Sequence, residues 1–247
     1  MSPPRFHFTG SLSCADVGSE VLLPDAVAHH ATRVLRLGVG ECLTLFTGAG
    51  GEFAATLVRA DKRGTAVRIE AFVDVDRESP LALTLVQAIP AADAMDHVVR
   101  KAVELGVHAI APVSSARSAP LPAGMRADKR RQHWQQVIVA ACEQCGRNRL
   151  PELQPIRPLA EWAASWRGAG VVCVPDVDSD WGALDLPVGA LAIAVGPEGG
   201  FTTEEVALLR ARGLAGVRMG PRVLRTETAA VAALAIAQLR FGDGVRR

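Results

Sequence analysis

Two segments near the carboxyl end of the chain, GPEGGF (196–201) and MGPRVLRTETA (219–229), decide its fold. Each follows a short apolar run, ALAIAVG (190–196) or GVRM (216–219), and precedes a stretch with helical spacing. This order is typical of open α/β sheets, in which ligands bind beyond the carboxyl ends of the strands and glycines let a ligand approach the backbone. The first segment is therefore either a ligand-binding loop or an ordinary glycine-rich turn. Its spacing differs from the G-x-G-x-x-G pattern of dinucleotide sites.

Both segments carry signals for the start of a helix. Thr202 and Thr203 are candidate N-caps for the first helix, and Thr226 or Thr228 for the second.

Two arginines of the second segment, Arg222 and Arg225, lie close to the predicted helix start. Guanidinium groups beside a helix N-terminus form a candidate anion site. The alternative is that Arg225 only pairs with Glu227, which follows it in the first turn.

The remainder of the carboxyl-terminal part alternates strands with helices, which predicts a parallel sheet covered on both faces. The predicted strands are LALTLVQAI (81–89), HAIAPVSS (108–115), VVCVP (171–175) and ALAIAVG (190–196). The predicted helices are MDHVVRKAVELG (95–106), DKRRQHWQQVIVAACEQCG (128–146), TTEEVALLRARG (202–213) and ETAAVAALAIAQLRFG (227–242).

The first 75 residues read mainly as strands separated by turns, with a short helix at AHHATRVLRL (28–37). The predicted strands are CLTLF (42–46), EFAATLV (52–58) and TAVRIEAF (65–72). We therefore predict two domains, a small β domain at residues 1–75 and an α/β domain at residues 76–247.

Composition and charge narrow the class of protein. Apolar residues make up 49% of the chain and charged residues 21%, which is typical of a soluble globular protein. There is no uninterrupted apolar run of 18 residues and no secretory signal pattern, so we expect a cytoplasmic protein with no membrane span and with reduced cysteines. Residues 100–150 carry nine basic and three acidic groups, which is typical either of a protein with an RNA or phosphate partner or of a solvated charge run. The lone Cys142-x-x-Cys145 predicts no metal site, because no second ligand pair accompanies it.

An ordered set of motifs resembles the RsmE family of RNA methyltransferases. The motifs are KAVELGV (101–107), ARS (116–118), ACEQCGR (141–147), VGPEGGFTTEE (195–205) and MGPRVLRTETA (219–229), and HHATRVLRLGVGE (29–41) resembles the PUA-like domain of that family. The resemblance implies a SPOUT-type parallel sheet with a C-terminal trefoil knot, a small PUA-like β-barrel and a homodimer. It also implies that S-adenosylmethionine is used to methylate N3 of a uridine in 16S rRNA of the small ribosomal subunit.

The resemblance assigns cofactor and RNA contacts to numbered positions. The implied cofactor-binding residues are Val174, Pro175, Gly196, Pro197, Glu198, Gly199, Gly200, Met219, Gly220, Val223, Leu224, Arg225 and Thr226. The expected RNA-binding residues are His30, Arg33, Arg36, Arg117, Arg130, Arg147 and Arg222. Two positions depart from the family pattern: Ala91 stands where a basic residue is usual, and Ala116 where a glutamate is common.

Methylation of uridine N3 requires an oriented base and the removal of one proton. Arginines near O2 or O4 would stabilise the uridinate, and a carboxylate would accept the proton. The candidate arginines are Arg147, Arg222 and Arg225, and the candidate carboxylates are Glu143, Glu198 and Glu227. We expect Arg147, Arg225 and Glu227 to be catalytic, whereas Glu198 can equally well brace its own loop.

Two other functions stay open. One is a 2′-O-ribose methyltransferase of the same superfamily acting on tRNA or rRNA. The other is a non-catalytic RNA-binding protein of ribosome assembly. A nicotinamide dehydrogenase is disfavoured by the glycine spacing.

Overall fold

The computed structural model describes residues 3–119, 125–177, 181–184 and 189–244, which divide into two units. Unit 1 runs as far as Glu78 and also contains Cys142–Leu150. Unit 2 contains Ser79–Ala141 and the residues from Pro151 onward. The predicted boundary near residues 74–80 cuts the chain once, whereas the later segment 142–150 joins unit 1 through long-range contacts that are invisible to local patterns.

Unit 1 is built on a five-stranded sheet in the order β1-β3-β4-β5-β2. The strands are β1 (Arg5–His7), β2 (Glu20–Leu22), β3 (Cys42–Phe46), β4 (Glu52–Asp61) and β5 (Gly64–Val73). β1 pairs in parallel with β3, and the other pairs are antiparallel. Along β4, Phe53, Ala55 and Leu57 are buried and alternate with more exposed residues, so one face of this strand packs on the core.

The helix predicted at residues 28–37 begins and ends three residues earlier in the structure, and it is wound differently. Helix α1 (Asp25–His29) continues as a π-helical turn, His30–Val34. Arg36 then adopts a φ of +59°, a left-handed conformation that is uncommon for a residue other than glycine.

Charged side chains tie the two parts of unit 1 together. Glu52 accepts hydrogen bonds from Arg5 at 2.5 Å and from Arg77 at 3.0 Å. Arg5 also donates to the side chain of Asn148, and Arg147 pairs with Glu78. These bonds explain why residues 142–150 belong to this unit.

The carboxylate of Glu52 is the most strongly perturbed acid of this network. Burial alone would raise its pKa, but hydrogen bonds from Arg77, Arg5 and Asn148 together outweigh burial and lower the pKa to about 2.

Unit 2 contains a fully parallel sheet in the order β12-β10-β11-β6-β7-β8, with β9 also paired to β7. The strands are β6 (Ala82–Ala88), β7 (Ala109–Ser114), β8 (Glu152–Leu153), β9 (Arg157–Pro158), β10 (Ala169–Cys173), β11 (Ala190–Val195) and β12 (Leu214–Val217). The helices are α2 (Ala92–Glu104), α3 (Met125–Cys145), α4 (Leu159–Ser165), α5 (Thr203–Ala211) and α6 (Thr226–Phe241); the last residues of α3, from Cys142, count with unit 1. The predicted parallel α/β sheet is thereby confirmed.

The centre of this sheet is buried on both faces. Nearly every residue of β6 and β11 is inaccessible to solvent, which matches their continuous apolar sequences. No helix in the described part of the chain has both the length and the apolar character needed to cross a bilayer.

The low pKa of Glu52 makes unit 1 sensitive to acid. Glu52 has an unfolded pKa near 4.5 and a folded pKa of about 2, so its contribution to the free energy of unfolding is present above pH 4.5 and is lost as the pH falls towards 2. We expect hydrogen-exchange protection of residues 52–61 to fall between pH 5 and 2 more steeply in the wild type than in Glu52→Gln. Exchange is the suitable probe, because all four tryptophans lie outside unit 1.

The matched control is Glu20→Gln, which changes a half-exposed carboxylate 3.7 Å from Arg68. In Glu20→Gln, the hydrogen-exchange protection of residues 52–61 should fall with pH as it does in the wild type. Equal slopes for wild type and Glu52→Gln would contradict the stabilising role of Glu52.

Candidate functional site

The carboxyl ends of three neighbouring strands, β10, β11 and β12, meet at one edge of the unit 2 sheet. The loops that follow them border a cavity that is open to solvent on one side and spans about 730 Å³, open space included. Its lining consists of Cys173, Val174, Pro175, Val195, Gly196, Pro197, Glu198, Gly199, Gly200, Arg218, Met219, Arg222, Val223, Leu224, Thr226 and Ala229. All the predicted cofactor residues except Gly220 and Arg225 are in this set. Arg222, which we expected to contact RNA, lines the same cavity.

The GPEGGF loop is held by its own backbone. The N–H of Gly200 donates to the carbonyl of Pro197 at 2.8 Å, and Gly200 has a φ of +67°, which suits glycine. At Gly196, an added Cβ would lie 2.9 Å from the backbone nitrogen of Phe201. The loop therefore closes so tightly on itself that its first position admits only glycine.

Two charged side chains fix this loop to its neighbours. A carboxylate oxygen of Glu198 accepts the backbone N–H of Ala91 at 2.9 Å. Arg117 donates to the carbonyl of Gly199 at 2.7 Å. Glu198 therefore connects its loop to Ala91, and Arg117 is engaged with the same loop.

The predicted cap of α5 is confirmed at Thr202. Its hydroxyl accepts from the backbone of Glu205 at 3.3 Å, and Glu205 accepts the backbone N–H of Thr202 at 2.9 Å, which completes a capping box. The other carboxylate oxygen of Glu205 accepts the N–H of Ala116 at 2.7 Å.

The cap prediction for α6 was wrong. Arg225 occupies the N-cap position without a side-chain cap bond, and Thr226 is the first helical residue. Thr226 is buried, and its hydroxyl donates to the carbonyl of Gly196 at 2.6 Å instead of capping the helix. A tertiary partner replaces the local one because the carbonyl of the neighbouring loop lies within reach.

A second cavity, of about 1110 Å³, adjoins the first. It is lined by Ala91, Ala94, Glu198, Val223, Leu224, Arg225, Thr226 and Glu227, four of which also line the first cavity. Within the described residues, Arg225 and Glu227 form no ion pair with each other, so the purely local pairing considered for them is not what the structure shows. Both charges therefore face a shared space beside the first cavity.

The other predicted functional residues lie elsewhere. Arg147 is only 4% exposed and pairs with Glu78 inside unit 1. His30, Arg33 and Arg36 are exposed in unit 1, on the segment that follows α1. Arg130 lines a separate cavity of unit 2, of about 470 Å³, together with His133 and Trp134 among others.

The cysteines near these sites are not activated. Burial raises the pKa of Cys173 to about 12, so this cavity-lining thiol is neutral at physiological pH. Burial likewise raises the pKa of Cys142 to about 12. Among the described residues, no group of three or more His, Cys, Asp or Glu side chains is placed to hold a metal ion.

Comparison with known proteins identifies the family to which the chain belongs. Residues 77–238 match the model described as an RNA methyltransferase domain, and residues 23–70 match an RNA methyltransferase PUA domain. The ribosomal RNA small subunit methyltransferase E of Synechocystis sp. is 32% identical over 89% of this chain and 73% of its own length. The chain belongs to the RsmE family.

Two solved structures extend the comparison. The RsmE enzyme of Neisseria gonorrhoeae bound to S-adenosyl methionine is 38% identical, with a TM-score of 0.90, over 99% of this chain and 100% of that one. A methyltransferase from Legionella pneumophila, solved in complex with its bound cofactor SAM, is 36% identical, with a TM-score of 0.92, over 98% of this chain and 100% of that one.

Sequence reasoning missed one polar residue at the RsmE-family site of this chain. Gln87 is fully buried at the end of β6 and donates to the hydroxyl of Thr226 at 3.0 Å. The signal was present in LALTLVQAI, because an amide in an otherwise apolar central strand must find buried partners.

Because the GPEGGF loop closes tightly at Gly196, substitution by alanine should destabilise the protein more at Gly196 than at Gly199. We expect Gly196→Ala to lower the free energy of unfolding by about 1 to 3 kcal/mol, because the methyl group meets backbone atoms that cannot move aside. Gly199→Ala should cost less than about 0.5 kcal/mol, because its methyl group meets only the flexible Arg117 side chain, at 3.2 Å. Urea unfolding followed by tryptophan fluorescence measures both, and equal effects would contradict the closure.

Proposed function

We propose that this chain uses S-adenosylmethionine to methylate N3 of a specific uridine in 16S rRNA of the small ribosomal subunit, and that it acts in the cytoplasm. The observation that carries the proposal is the pair of adjoining cavities. The first is lined mostly by backbone and apolar groups, and the second contains Arg225 and Glu227. Membership of the RsmE family and the two cofactor-bound relatives support the same assignment.

The first cavity fits S-adenosylmethionine by its chemistry. Apolar side chains such as Val174, Pro175 and Leu224 offer surfaces for the adenine ring, and the loop glycines present main-chain groups to its polar edge. A Cβ added at Gly200 would meet no protein atom within 4 Å, so the backbone there borders open space that a ligand can approach.

The second cavity supplies what uridine methylation needs from the protein. When bound, the cofactor provides an electrophilic methyl group. Arg225, at the N-cap of α6, would stabilise negative charge on the uracil oxygens as N3 loses its proton. Glu227, in the first turn of the same helix, would accept that proton directly or through water.

Of the two arginines that we expected to be catalytic, Arg147 has the less support from the structure. Its guanidinium is engaged by Glu78 in unit 1, and among the described residues it lines neither cavity. Its catalytic role stays a prediction, and the proposed mechanism assigns charge stabilisation to Arg225.

RNA binding is proposed for basic residues in both units. In unit 1, His30, Arg33 and Arg36 lie on the segment after α1, beside the exposed apolar side chains of Val34 and Leu35. Cations next to apolar surface suit an RNA strand with unstacked bases. Arg117, Arg130 and Arg222 would add contacts in unit 2.

The finer architecture is also part of the proposal: a trefoil knot, a PUA-like barrel in unit 1 and a homodimer. The knot is proposed from membership of the RsmE family, since the order of β12, β10 and β11 also occurs in unknotted α/β sheets. Two exposed apolar side chains of unit 2 support the dimer, because a second copy could cover Val223, which is 84% exposed, and Leu239, which is 56% exposed.

Mapping of modified nucleotides tests the function. In 16S rRNA from a strain lacking this chain, we expect mass spectrometry to show the loss of one N3-methyluridine. The purified protein should restore it with S-adenosylmethionine, on either free rRNA or small subunits. A 2′-O-methylated product would instead support the ribose methyltransferase, and absence of S-adenosylmethionine binding in calorimetry would support a non-catalytic RNA-binding protein.

Substitution of the two charged residues in the second cavity tests the mechanism. We expect Arg225→Ala to lower kcat roughly 100-fold or more and Glu227→Gln to lower it by a comparable factor, with rRNA affinity nearly unchanged. The control is Arg240→Ala, because Arg240 lies at the other end of α6 and donates to the carbonyl of Leu184. Wild-type turnover in Arg225→Ala would remove Arg225 from the mechanism.

A further inference from the structure

The buried amide of Gln87 is surrounded almost entirely by carbonyl oxygens. Its Nε2 donates to the carbonyl of Ala88 at 2.8 Å and lies 3.5 Å from the carbonyls of Val195 and Gly196. Its remaining neighbour is the hydroxyl of Thr226 at 3.0 Å. Because backbone carbonyls only accept hydrogen bonds, the nitrogen and not the oxygen of Gln87 must face this group.

This orientation fixes the direction of the next hydrogen bond. Since Gln87 donates to the oxygen of Thr226, the Thr226 hydroxyl uses its hydrogen for the carbonyl of Gly196, 2.6 Å away. The two hydrogen bonds, from Gln87 to Thr226 and from Thr226 to Gly196, form a relay. It runs from the end of β6, through the first residue of α6, to the first residue of GPEGGF. It is a side-chain anchor for a helix start that has no side-chain cap.

Holding the nitrogen of Gln87 in this position is unfavourable in free energy for its oxygen. The Oε1 of Gln87 is buried and finds no hydrogen-bond partner among the described residues. A buried acceptor without a partner is unfavourable, and such departures concentrate where a site requires them. An apolar residue of similar size would fill the same space without this cost, but it could not direct the Thr226 hydroxyl.

We infer that Gln87 is a positioning residue, which through Thr226 sets the spacing between the GPEGGF loop and the 219–225 loop. Among the described residues, Gln87 lines neither cavity, whereas Thr226 lines both. The relay thus controls the distance and orientation between the first cavity and the side chains of Arg225 and Glu227. This inference rests on the proposed function, since it assigns the first cavity to the cofactor and the second to the target base.

The test compares two buried glutamines that anchor opposite ends of α6. Gln238 is 5% exposed; its amide nitrogen donates to the carbonyl of Leu105 at 2.8 Å and its oxygen accepts the Ser79 hydroxyl at 2.7 Å. Gln87→Met removes the relay at the site, and Gln238→Met removes a comparable anchor far along the helix. Gln87→Glu keeps the shape but presents an acceptor to Thr226, which would draw the hydroxyl hydrogen away from Gly196.

Three measurements are made on the full chain at a temperature where every variant is folded: calorimetric titration with S-adenosylmethionine, single-turnover methyl transfer to small subunits, and rRNA binding. We expect both Gln87 variants to raise the cofactor Kd roughly tenfold and to slow methyl transfer by a further tenfold or more, because a small misplacement of reacting groups is costly. Gln238→Met should leave both values within about twofold even if it lowers Tm as much. All variants should bind rRNA like the wild type.

A double variant tests whether Gln87 acts through Thr226. Gln87→Met combined with Thr226→Val should be no worse than Thr226→Val alone, because both remove one relay. Additive losses, wild-type cofactor binding and turnover in both Gln87 variants, or equal losses in Gln238→Met would each overturn the inference.

Hydrogen exchange separates this inference from the proposed function. In cofactor-free protein, Gln87→Met should increase exchange in residues 196–201 and 219–229, and Gln238→Met should not. Unchanged exchange in Gln87→Met would contradict the relay even if the enzyme methylates rRNA. A wild type that neither binds S-adenosylmethionine nor transfers methyl groups would overturn the proposed function, and with it the catalytic meaning of the relay.

Discussion

Parallel pairing of β10 with both β11 and β12 is the constraint on which the site depends. Val172 of β10 lies level with Ala194 on one side and Gly216 on the other, so all three strands end at one edge. Their close approach requires Gly170, where an added Cβ would lie 2.8 Å from the carbonyl oxygen of Ala192. The three loops meet because the strands that precede them are packed this tightly.

The site separates the groups that hold its loops from those to which we assign the chemistry in our proposal. Glu198, Arg117 and Thr226 all direct polar atoms at backbone groups, and each of these bonds fixes a loop. Within the described residues, Arg225 and Glu227 have no such partner, and both line the second cavity. In our proposal, we therefore assign stabilisation of the substrate's charge and proton transfer to these two residues, which the loops hold in place.

Unit 1 shows a similar use of charge for structure. Arg5 and Arg77 share Glu52, and Arg147 is buried against Glu78. A buried charge without a partner is very unfavourable, so these pairs strongly favour the arrangement that satisfies them. The basic residues around position 147, which suggest RNA contact when only charge is counted, are partly engaged in this internal network.

Sequence by itself determined the type and order of the elements. The continuous apolar runs of β6 and β11 indicate buried parallel strands, and the pair Thr202 and Thr203 indicates the start of α5, because these signals act over a few residues. The segments GPEGGF and MGPRVLRTETA could also be recognised as loops of one site. Only the tertiary structure decided what each polar side chain does there: Thr226 does not cap its helix, Arg147 pairs with Glu78, and Gln87 reaches Thr226 across 139 residues. These choices depend on which partner lies within hydrogen-bonding distance after the strands have packed, and no local pattern in a sequence records that distance.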